Sequence, residues 1–199
     1  MTPVATEFQA KCAKRFTAFR KALTAESDRG CALFAAAYLD KSLSDLICVS
    51  LVENKKIEED LFKSQGPLST FSARIKFAYY LGKISPSERR DLDVIRAIRN
   101  DFAHHAEEMT FDTQSVRDRC TNLVHQWHEA GAESRGKFTA AVSGLLASIQ
   151  AETFKAVALA EKKDVPIPEE MKQKIRVEAQ AKMEAIRRAF RRDPNNDTV

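Results

Sequence analysis

Helix breakers are rare in this chain, and that constrains its fold more than any other feature. Six glycines and six prolines punctuate 199 residues, while Ala, Leu, Glu, Lys and Arg dominate, so turns are few and good helix formers fill the stretches between them. Apolar residues recur at three- and four-residue steps, the period of an amphipathic helix rather than of a strand. The chain is therefore expected to be all-α: a helical bundle of about five to six helices with a C-terminal basic helix after a Pro-x-Pro linker. At 44% apolar and 30% charged residues it has enough apolar surface to form a core, and its length suits one core domain with appendages.

The pattern places the elements. Val4, Phe8, Cys12, Phe16, Phe19 and Leu23 mark a first helix, and Ser27 caps a second that runs to about Leu51. The polar stretch Glu53 to Asp60 leads to a turn at Ser64-Gln65-Gly66-Pro67. A helix from about Ser69 to Leu81 stops at Gly82, and Ser85-Pro86-Ser87-Glu88 has the form of a capping box opening a helix to about His104. Two more are expected, from about Thr113 to Glu129 and from about Lys137 to Lys162, with a break at 131–136. These make a core domain over 1–163. Pro166 and Pro168 define a linker at 164–168, a basic helix follows over 169–192, and the tail 193–199 is expected to be disordered.

Charge divides the chain. Residues 1–170 hold 24 Lys/Arg and 24 Asp/Glu, so the net charge of +4 comes from the C-terminal segment. The body has no general attraction for nucleic acid, and weak contact is expected only from the basic helix, through Arg187, Arg188, Arg191 and Arg192. Cys12, Cys31, Cys48 and Cys120 lie far apart without C-x-x-C spacing and read as buried thiols of a reducing compartment. With no signal-peptide pattern and no run of 18 apolar residues, the expectation is a cytoplasmic protein that does not engage membranes.

The helix ending at His104 carries unusual chemistry. On a wheel of 100° per residue Arg99 lies about 20° from Leu92, inside the apolar stripe. A buried guanidinium needs a partner. In a structural role it pairs with a carboxylate such as Asp28 or Asp40, Asn100 closes the helix end and His104 caps it. In a functional role Arg99, Asn100 and His104 face a phosphodiester: the imidazole moves a proton and the guanidinium steadies the phosphoryl charge, so RNA is cleaved by its own 2′-hydroxyl without metal. The spacing Arg99-x-x-x-x-His104 resembles the R-x(4–6)-H motif of HEPN-type ribonucleases. His104, His105, His125 and His128 fall in one window, but no Cys or carboxylate stands at a fixed ligand spacing, so no metal site is assigned. Phosphate loops, G-x-S-x-G and H-E-x-x-H are absent from the sequence, and no cofactor is expected.

Three stretches resemble the mannitol operon repressor family in order and spacing. They are Glu26-Ser27-Asp28-Arg29-Gly30-Cys31-Ala32-Leu33 running into Ala35 to Asp40; Pro67 to Lys76 with Arg74; and Ile95 to His104 with Arg99 and Asn100. The resemblance covers roughly residues 20–130 and leaves the extension after about residue 135 outside. It implies an all-helical bundle and a non-enzymatic transcriptional regulator, acting through a protein partner or its own second copy as a homodimer rather than through a helix-turn-helix. The alternative is the metal-independent HEPN-like endoribonuclease built on Arg99 and His104. The family motifs mark Ser27, Asp28, Arg29, Asp40, Arg74, Lys76, Arg99, Asn100 and His104.

Overall fold

The computed structural model describes residues 16–63, 65–104, 109–125 and 132–191. The described residues form helices and no strand: α1, described over 16–25, then α2 (Asp28–Ser50), α3 (Lys55–Phe62), α4 (Phe71–Tyr80), α5 (Pro86–His104), α6 (Gln114–Thr121), α7 (Ser134–Lys155) and α8 (Glu169–Arg191). The chain divides into two compact units, 1–160 and 161–199.

In the first unit α2 is the central helix. Ser27 caps it by accepting from the Gly30 amide at 3.1 Å, and its small residues Ala32, Ala35 and Ala36 are buried. Small side chains let helices approach closely, and α4, α5 and α7 all pack on α2. Leu39, Leu43, Leu46 and Ile47 of α2 share the core with Leu92, Ile95, Ile98 and Phe102 of α5 and Phe138, Val142, Leu145 and Ile149 of α7. Phe111 joins two of these helices, its ring 5.3 Å from Phe102 and 5.0 Å from Phe138. Phe19 of α1 packs on α2 through Tyr38 at 4.4 Å and Phe34 at 5.6 Å.

The capping box is present: Glu88 accepts from the Ser85 amide at 2.6 Å, and the Glu88 amide donates to the Ser85 hydroxyl at 3.2 Å. Gly82 has φ +67°, a left-handed position where an L side chain is strained.

Several boundaries differ from the sequence expectation. α3 occupies most of the polar stretch after α2; none of its residues is fully buried, and its short apolar face of Ile57, Leu61 and Phe62 stands among charged residues. α6 stops at Thr121 rather than continuing to Glu129, because the Val124 and His125 amides turn to bind the Asp91 carboxylate at 2.9 and 2.8 Å. α7 begins at Ser134, ahead of Lys137, and ends at Lys155 rather than Lys162. The expected start of the first helix, Cys12, His105, Trp127, His128, Arg192 and the tail lie outside the described residues.

In the second unit residues 161–168 have no regular secondary structure. α8 carries Met171, Ile175, Met183, Ile186 and Phe190, each at least half exposed. At 100° per residue these five fall within about 120° of the helix circumference, so the stripe is real but uncovered within its unit. Among the described residues no helix is long and apolar enough to cross a membrane.

Candidate functional site

The family-motif residues separate into two arginine clasps and one exposed helix end. In the first clasp Asp28, in the first turn of α2, accepts from Arg135 Nη1 at 2.7 Å and from the Phe111 amide at 2.9 Å. The same guanidinium donates through Nη2 to the carbonyl of Glu26, with the Thr24 and Leu23 carbonyls at 3.4 and 3.5 Å. Carbonyls at a helix end lack intrahelical partners, so Arg135 closes α1 while pinning the starts of α2 and α7 together. Arg29 sits half-buried in the same first turn of α2.

In the second clasp Arg74 Nη1 meets Asp40 Oδ2 at 2.7 Å, and Nε donates to the Leu68 carbonyl at 2.8 Å. Its guanidinium also lies over the Phe62 ring, 5.4 Å from the centroid. One arginine therefore ties α2, the end of α3 and the α3–α4 turn. Lys76, two residues on, is exposed.

Neither Asp28 nor Asp40 is the partner of Arg99, contrary to the sequence expectation; each is taken by an arginine from another part of the chain. Arg99 instead donates from Nη1 to Asn100 Oδ1 at 2.9 Å. It is half-buried at the margin of the apolar stripe, so its guanidinium reaches the edge of the core and needs no buried carboxylate. His104 ends α5 and is exposed. The structure thus brings Arg99 and Asn100 into contact and leaves the imidazole at the surface.

One group on α5 escaped sequence reasoning, and the capping-box Glu88 has a further partner. Asp91 is fully buried and, besides the two amides that end α6, meets His125 Nδ1 at 2.8 Å. Glu88 receives a hydrogen bond from the Ser148 hydroxyl of α7 as well as those of the capping box. Burial pushes the Glu88 carboxyl up, but the hydrogen bonds from Ser148 and Ser85 outweigh it and hold the group below its ordinary value. A charged residue on the inner face of α5 is the signal that marks both.

The thiols are chemically quiet. Burial pushes Cys31 up to about 11 and Cys120 up to about 12, and Cys48 is raised to about 11, so all three remain protonated near neutral pH. No group of three or more His, Cys, Asp or Glu side chains suited to a metal occurs among the described residues.

On its outer side α5 forms a shallow groove with α6, of about 490 Å³ and lined by Pro86, Arg89, Arg90, Asp93, Val94, Ala97 and Arg119. The basic residues of α8 stand in the other unit: Arg187 and Arg188 are exposed, Arg188 lies 3.6 Å from Glu184, and Arg191 is the last residue of the helix.

Among the described residues the chain is an all-helical bundle whose motif carboxylates Asp28 and Asp40 are spent on internal clasps. Within that class the chain belongs to the mannitol repressor family, whose model matches residues 23–158. The match extends past the sequence-stretch resemblance to take in α7, so the departure from the family begins near residue 159 rather than 135. The fold is similar to that of a chain in the MtlR–HPr complex from Escherichia coli, with a TM-score of 0.59 and 19% identity, over 67% of this chain and 97% of that one. Comparison with curated proteins gives no match.

Proposed function

We propose that the protein is a transcriptional regulator of the mannitol repressor type that acts in the cytoplasm through protein–protein contacts, without catalysis and without a helix-turn-helix. The observation that carries this reading is the fate of the motif carboxylates: Asp28 and Asp40 are each held by an arginine of the same chain at 2.7 Å. Residues committed to packing of this kind build a rigid surface rather than a reaction centre. The fold relative is a component of a complex whose other named member is HPr, which supports a small protein of that kind as partner. A homodimer, and weak nucleic-acid contact through the Arg187–Arg188 end of α8, belong to the same proposal. The test is calorimetric titration of the full chain with HPr of its own organism. Saturable binding is expected; absence of heat, together with operator binding by the chain alone, would reverse the reading.

A second reading rests on the Arg99–Asn100 hydrogen bond beside an exposed His104, a pair suited to charge stabilisation and proton transfer on RNA. It predicts cleavage of single-stranded RNA in EDTA by the wild type and none by His104→Ala. Intact RNA in both would dismiss it.

A further inference from the structure

We propose that the groove on the outer face of α5 and α6 is a docking surface for an acidic segment of a partner protein, one that places carboxylates on either side of a small apolar side chain. Its lining combines the apolar Pro86, Val94 and Ala97 with the cationic Arg89, Arg90 and Arg119. Arg119 is already paired with Asp101. The remaining guanidiniums share too little negative charge. Asp93 stands 3.8 Å from Arg89 and 3.6 Å from Arg96, beyond good hydrogen-bond distance for either. Arg96 lies outside the groove, so of these two arginines only Arg89 lines it.

Asp93 is thus shared at long range by two arginines, and the positive charge that Arg89 and Arg90 bring to the groove is only partly offset. A carboxylate from outside would complete what Asp93 leaves open, and arginine's planar fork suits it. Arg89 is also held in place, its guanidinium 5.1 Å from the centroid of the Tyr79 ring, so little side-chain freedom is lost on binding. Arginine is among the residue types that dominate binding energy at protein interfaces. A nucleic-acid backbone fits less well: residues 1–170 are electrically balanced, and a phosphate track needs extended positive charge rather than a short groove with an acid in it.

This inference deepens the partner-binding reading, and its test bypasses HPr so that the two can fail separately. A random peptide library displayed on phage is selected on the full chain and counter-selected on Arg89→Glu/Arg90→Glu, with Arg117→Glu on the exposed side of α6 as control. The expected consensus has Asp or Glu flanking one apolar residue. A synthetic peptide of that consensus should lose at least about tenfold in affinity on the double variant and hold it on the control. Unchanged melting of both variants assures that folding is not the cause. A consensus without acids, or acidic peptides that bind the double variant equally well, would overturn the proposal. So would a labelled single-stranded oligonucleotide that depends on Arg89 and Arg90 where no peptide does.

Discussion

Arg135 contributes more to this structure than its position in the sequence announces. It bonds Asp28, 107 residues earlier, and the carbonyls that end α1. Arg135→Ala takes the charged partner from Asp28, which still accepts from the Phe111 amide, and the donor from the carbonyls that end α1, with an expected loss of about 2–3 kcal/mol in urea unfolding. Arg99→Ala removes a bond to its own neighbour Asn100 and should cost under about 1 kcal/mol. Equal losses would refute the assignment of Arg135 as the clasp. Asp28, Asp40 and Arg74 were legible as motif residues, but pairing Asp28 with Arg135 rather than Arg99 required knowing where α7 returns. Glu88 gives the pH dependence. Its folded pKa lies below the ordinary 4.5, so its stabilisation is complete above that value and is lost as pH falls through the lower, folded one. From pH 7 to about pH 3.5 the wild type should lose more melting temperature than Glu88→Gln. Identical losses would show that the carboxylate is not held as described.

At the scale of elements, what the sequence disclosed depended on whether an element buries anything. α2, α4, α5 and α7 carry core residues at helical spacing and were readable, the start of α5 to the residue through its capping box. α3 was not, because its eight residues hold no fully buried side chain and rest on an Asn54 cap and on Leu61 and Phe62 packed partly against the core. Its end is fixed by Gly66, where an added Cβ would lie 2.3 Å from the carbonyl oxygens of Asp60 and Leu61. Backbone cannot yield as a flexible side chain does, so Gly66→Ala should destabilise by about 1–3 kcal/mol. Gly136 in α7 is the counter-case: the nearest atom to a new Cβ is 3.9 Å away, and Gly136→Ala should stabilise by about 0.5–1 kcal/mol. Chemical denaturation of the two variants checks both signs, and a stabilising Gly66→Ala would contradict the close approach.

For the whole molecule, the family match and the first compact unit nearly coincide, ending at 158 and 160. Every buried apolar residue among the described ones lies within 16–160, and α7 packs on α2. A chain ending at Ala160 should therefore melt within about 2 °C of the full protein by calorimetry; a larger drop would mean that 161–199 stabilises the bundle. Sequence foresaw the basic helix and the Pro-x-Pro break but placed the end of α7 too late, since nothing in the apolar pattern stops at Lys155. The clasp between Asp28 and Arg135 also sets a schedule for biosynthesis. Ribosomes deliver the N-terminus first, and at roughly 5–20 residues per second Asp28 precedes its partner by on the order of 5–20 s. Throughout that interval α2 lacks α7, one of the helices packed on it, so a nascent chain paused before Ser134 leaves part of its apolar surface open to water.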